Sequence, residues 1–182
     1  RTGMLSLYLA SPLNRTTYVI SKVAAVSTAM LAATLLPNLF LLFAYTIAGA
    51  GPDGIVDFGE TLVRILAAGV LMGVYFGAYS SMISSFTPRR SMASAAIIIT
   101  FLMAGIVSGT LIEGADVNNH IDLINVALLP LRAAVFLLGE RPEAGEGLNA
   151  LDGGVVLLAT IGVAAFASAL TWWRYQHVAA ER

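Results

Sequence analysis

Hydrophobic positions along the chain gather into four long stretches, at about 18–48, 62–83, 91–111 and 154–172, separated by polar breaks. Each is long enough to cross a bilayer, which takes roughly 20 helical residues. An isolated apolar span can satisfy its backbone in lipid only as a helix, so all four are expected to be helical. The first is longer than a span needs and contains Pro37, where a bend is expected. Arg64 lies close enough to one end of the second to snorkel out. Trp172, Trp173 and Tyr175 close the fourth as an interfacial belt. The expected fold class is an all-α polytopic membrane helix bundle forming one transmembrane domain over 1–182.

Two segments depart from this pattern. Residues 1–16 (R-T-G-M-L-S-L-Y-L-A-S-P-L-N-R-T) are short and amphipathic. If 3–10 is helical, Met4, Leu5, Tyr8 and Leu9 share one face, because positions three and four apart are neighbours. Pro12 ends that helix and biases Ser11 away from the α region. The product is an apolar-faced peg at a membrane boundary, flanked by Arg15 and Lys22 and suited to docking on a partner. Residues 113–153 form the second departure. Their apolar part, 121–139, is interrupted by Asp122, Asn125, Pro130 and Arg132 and reads as helices lying in, or dipping into, an interface. Residues 49–60 and 140–152 read as loops.

Composition agrees with a membrane location: 58% of the 182 residues are hydrophobic and only 12% charged, against about a quarter charged in soluble domains. The net charge of −1 conceals a segregation. Arg1, Arg15, Lys22, Arg89, Arg90, Arg174 and Arg182 fall on one side of the four spans; Arg64, Arg132 and Arg141 fall on the other, with every acid except Glu181. By the positive-inside rule both termini and the turn at 87–91 are cytoplasmic, as an even number of crossings requires. A fifth full span within 121–139 would break this pattern. The expected location is the cell membrane, with membrane lipid as the surrounding partner and no nucleic acid.

Candidate chemistry is sparse. There is no cysteine, so neither a disulfide nor a thiolate metal site can form. His120 and His177 fall on opposite sides of the membrane and cannot share a metal within one chain, and no metal site is expected. No ionisable residue occupies the middle of a span, which argues against a proton- or ion-coupled carrier. Ser108 within Gly105-Ile-Val-Ser-Gly109 has the wrong spacing for a serine nucleophile and no histidine at depth as base, so no enzyme is expected. The chain also has no phosphate-loop motif, and Lys22 is its only lysine. Polar residues at depth include Asn38, beside Pro37, and Tyr75 and Tyr79, all three candidates to line a pathway, although for Asn38 a bond to a carbonyl freed by Pro37 is the favoured use. Small residues recur every four positions: Gly69, Gly73 and Gly77; Gly105 and Gly109; Ala25, Ala29 and Ala33. Such rows let helices approach closely, and packing within one subunit is the favoured reading over a seam between copies.

The opening pattern of Arg1, Gly3, Leu5, Leu7, Leu9, Ser11, Pro12, Arg15, Tyr18 and Lys22 resembles the cytoplasmic coupling segment of ATP-binding-cassette (ABC) transporter permeases of the type 2 class. The layout from that segment onward is similar over essentially the whole chain: four spans, a tight Arg89–Arg90 turn, an interrupted segment before the last span and a basic tail. The family's first two spans and amphipathic leading helix would then precede Arg1 in a longer protein. The resemblance implies a permease subunit of an efflux-type complex, coupled to a separate ABC ATPase and paired with a second permease copy. ATP and Mg would be held by the ATPase, with no cofactor on this chain. It also implies that Met4, Leu5, Tyr8, Leu9, Pro12 and Arg15 contact the ATPase. The alternative expectation is a non-transporting membrane scaffold or assembly factor.

Overall fold

A computed structural model describes residues 15–87, 89–114, 118–140 and 147–177. Five α-helices are present in this part of the chain: α1 (Arg15–Ile47), α2 (Ile55–Phe86), α3 (Arg90–Gly109), α4 (Leu129–Leu137) and α5 (Gly153–His177). A π-type turn at Thr110–Gly114 extends α3, and short 3₁₀ helices occupy Asn119–Ile124 and Gly147–Ala150. There is no strand among the described residues, and four helices contain stretches long and apolar enough to cross a membrane: Ala24–Ile47, Ile55–Phe86, Ser91–Ile112 and Gly153–Tyr175. The all-α bundle expected from the hydrophobic pattern is therefore the fold observed.

Local chemistry sets the helix ends. Helix α1 runs unbroken through Pro37. Pro37 donates no bond to the preceding turn, and neighbouring side chains engage the carbonyls around it. Asn38 Nδ2 donates to the Thr34 carbonyl at 2.7 Å, and the Thr34 hydroxyl donates to the Met30 carbonyl at 3.0 Å. Helix α2 begins seven residues before the start expected from hydropathy, after Gly54 at φ 108°. Asp57 and Glu60, read as loop residues, are helical instead, and Asp57 in the first turn complements the helix dipole. Helix α2 ends where Thr87 turns extended ahead of a proline, which disfavours helical geometry in the residue before it. Asp152 Oδ1 accepts from the Gly154 N–H at 2.8 Å and caps the start of α5.

Helix α2 is the hub, touching α1, α3, α4 and α5. Its contact with α1 is an antiparallel seam of glycines. A Cβ on Gly73 would come within 3.0 Å of Leu31 Cβ, one on Gly77 within 2.9 Å of Ser27 Cα, and one on Gly69 would strike the Leu35 side chain. Successive glycines thus receive Leu35, Leu31 and Ser27, each four residues from the next. Gly105 and Gly109 on α3 meet nothing within 4 Å, and Ala25, Ala29 and Ala33 on α1 are exposed. One small-residue row of the three is therefore a packing seam inside the described chain.

The core lies where α2, α4 and α5 converge, around Tyr75, Leu129, Ala133, Leu148, Val156 and Ala164. Helix α3 is held to α2 by aromatic contacts: Phe101 stacks on Tyr79 at 5.4 Å between centroids and meets Phe76 edge-on at 6.0 Å. At the end of the bundle where α2 finishes, the Arg174 guanidinium of α5 lies 5.6 Å from the centre of the Phe86 ring. Large apolar side chains such as Phe40, Ile47, Ile99 and Ile106 are exposed along α1 and α3, as suits helices facing hydrocarbon.

Candidate functional site

Residues 118–138 form a hairpin that enters the bundle from the end where α1 stops and α2 starts. Its tip lies beside Tyr75 and Thr160. The Tyr75 hydroxyl donates to the Val126 carbonyl at 2.7 Å, and Thr160 Oγ1 lies 3.4 Å from the Leu129 carbonyl oxygen. Helix α4 climbs back, and Arg64 Nη1 donates to the Leu138 carbonyl at 3.0 Å near the mouth. Nine residues at 1.5 Å each make this return about 13 Å long. The segment expected to lie in or dip into an interface thus dips into the bundle.

The descending limb is not α-helical, so its backbone groups need partners from side chains; such backbone is tolerated at membrane depth only where protein surrounds it. Asp122, 9% exposed, supplies them. Its Oδ2 accepts from the Leu148 N–H at 2.9 Å, and its Oδ1 from Asn125 Nδ2 at 3.3 Å. Asn125 Nδ2 also reaches the Ser108 hydroxyl of α3 at 3.2 Å, while its oxygen accepts from the Leu128 N–H. Asn119 Oδ1 accepts from the Gly147 N–H at 3.0 Å, and Arg132 Nε donates to the Leu148 carbonyl at 3.2 Å. Gly147 has φ 65°, and the Asp122 carboxylate fills the space a side chain there would need. Asp122, Asn125 and Arg132, read as interruptions of an apolar run, are the residues that allow the hairpin to enter the bundle. The Asp-x-x-Asn spacing places both side chains near one turn, but their partners, twenty-odd residues away or on α3, left no sign in the local pattern.

The candidate site residues fall into three groups. Met4, Leu5, Tyr8, Leu9 and Pro12 lie outside the described residues, and Arg15 is the first residue of α1. Tyr75 is fully enclosed and Tyr79 nearly so, and their parallel rings lie 6.2 Å apart within the core of the chain. Asn38 is exposed and lines an open cleft of about 340 Å³ between α1, α2 and the end of α4. Leu41, Leu42 and Ile65 give it an apolar lining, and Tyr45, Gly51, Thr61 and Glu140 line it as well. Glu140 was read only as part of an acidic loop. Its position follows Gly139, whose φ of 82° turns the chain after α4 and whose missing side chain leaves room for Arg64.

Four membrane-length helices, a re-entering hairpin satisfied by its own side chains and a cleft at the hairpin's mouth define a multi-pass membrane protein. Comparison of the sequence with protein families makes this specific. The chain belongs to the ABC-2 transporter family, whose model, described as ABC-2 family transporter protein, matches residues 2–178. No curated protein and no solved structure matches it.

Proposed function

We propose that this chain is the permease subunit of an ATP-driven ABC transporter, forming a substrate route with a second permease copy. Force would come from a separate ATPase subunit carrying ATP and Mg. The observation that carries this reading is the family match over almost the entire chain, including the opening stretch with its apolar Met4, Leu5, Tyr8 and Leu9. In this reading the end holding both termini and the 87–89 connection faces the cytoplasm of the cell membrane, and the hairpin faces outward. Met4, Leu5, Tyr8 and Leu9 seat on the ATPase, Pro12 breaks the segment, and Arg15 contacts acidic groups or lipid phosphates. Movement of that peg passes into α1, which is bound to α2 along the glycine seam and touches little else. The two helices are then the lever that a two-state mechanism requires.

Replacing Leu5 and Leu9 together by Asp tests it in membranes holding the chain and its ATPase. The expected result is loss of transport and of permease-stimulated ATP hydrolysis with insertion unchanged. Transport at the unmodified rate in the double variant overturns the coupling role. Failure of the intact chain to co-purify with any ABC ATPase would favour a scaffold or assembly factor instead.

A further inference from the structure

Helices α1 and α3 start, and α2 and α5 finish, at one end of the bundle, which brings Arg15, Lys22, Arg89, Arg90 and Arg174 to that end. The segments that lead there, 1–52, 61–112 and 153–182, contain a single acid, Glu181. One carboxylate can neutralise only one of these cations, so most of the charge takes its counter-ions from outside these 182 residues. One corner shows what surface is offered. The Arg174 guanidinium of α5 lies over the Phe86 ring at the end of α2, 5.6 Å from its centre. A guanidinium resting on a ring uses its face there and keeps in-plane N–H groups for an anion, and its planar fork matches the oxygens of a phosphate. Arg89 is exposed and follows Phe86 by three residues, which places the two at most about 11 Å apart. Trp172 and Trp173 immediately precede Arg174, and both are exposed, as is Phe86. Exposed aromatic rings beside arginine mark the headgroup level of a bilayer. A soluble acidic partner would have to reach cations set among lipid, whereas a phospholipid phosphate is already at that level.

We infer that Arg89 and Arg174, with the Phe86 ring beside them, form a docking site for the headgroup of an anionic phospholipid of the phosphatidylglycerol type. The acyl chains lie against Phe86 and the two tryptophans. The inference goes beyond the transport reading and rests neither on coupling to an ATPase nor on which leaflet this end occupies.

Trp172 and Trp173 are the only tryptophans in these residues, so quenching by brominated lipid reads this corner directly. The test places the full chain in phosphatidylcholine nanodiscs and titrates in phosphatidylglycerol or phosphatidylcholine, each brominated near the headgroup end of its acyl chains. Quenching is normalised to the same chain in unbrominated nanodiscs. The glycerol lipid is expected to quench more than the choline lipid at equal mole fraction. Arg89→Gln and Arg174→Gln should each lower that preference by about five-fold, the value of one basic side chain near an anionic surface. Arg89 is exposed, so Arg89→Gln should keep the fold and decides the matter should Arg174→Gln lower the unfolding midpoint. Equal quenching by the two lipids in the original chain overturns the inference. An unchanged preference in the double variant also overturns it, by assigning the enrichment to the diffuse charge of that end. Loss of the preference in sodium phosphate, but not in sodium chloride of equal ionic strength, would assign the site to a soluble phosphate and overturn the lipid reading.

Discussion

Asp122 shows how one side chain can support a stretch of irregular backbone. Its two oxygens accept from Leu148 N–H and Asn125 Nδ2, so Asp122→Ala leaves both donors buried without this acceptor. A loss of about 1–3 kcal/mol is expected, read as a lower unfolding midpoint in detergent. Tyr75→Phe removes the hydroxyl that donates to the Val126 carbonyl and should destabilise the chain in the same assay by about 1 kcal/mol. The same change at Tyr45, which is exposed and lines the cleft, should leave the midpoint unchanged. Such polar residues were visible in the sequence as breaks in an apolar run. Their partners were not visible, because each bond joins positions that only folding brings together.

At the scale of elements, the α1–α2 seam separates three chemically similar rows. Gly77→Ala puts a methyl group against the Ser27 backbone, and Gly73→Ala puts one against Leu31 Cβ and backbone. Neither neighbour can move without shifting α1, so each substitution should cost about 1–3 kcal/mol. Gly69→Ala meets the flexible end of Leu35 and should cost less. Gly105→Ala, with open space around it, should be neutral or mildly stabilising, within about 1 kcal/mol, through better helix propensity. Thermal unfolding of the four variants side by side checks the order; equal losses at Gly105 and Gly77 would show that the two rows do the same job. Four-residue spacing made all three rows legible, but it carries no information about which one finds a partner.

For the whole molecule, charge segregation makes a direct prediction. These 182 residues contain no cysteine, so single replacements among them report accessibility without background from this part of the protein. Asp53→Cys should react with an impermeant maleimide in intact cells, and Arg89→Cys only after permeabilisation; both positions are exposed. The reverse pattern would invert the membrane orientation and place the segment proposed to face an ATPase on the wrong side. With the expected orientation, Glu140 would lie toward the outer face, at the far end of α1 and α2 from Arg15 and Phe86.

The sequence alone determined that this is a bundle of four membrane-length helices and which charges share an end, and its resemblance pointed to the transporter family. Those properties follow from hydrophobic run length and from the cost of moving charge through lipid, both of which act on contiguous residues. Tertiary structure decided that Tyr75 and Tyr79 are enclosed, that the glycines of α2 rather than α3 form a seam, and that Glu140 and Asn38 line one cleft. Each of these depends on which helix faces which and at what register. In a chain whose surface and interior are both apolar, hydrophobic periodicity does not distinguish a face turned to lipid from one turned to protein.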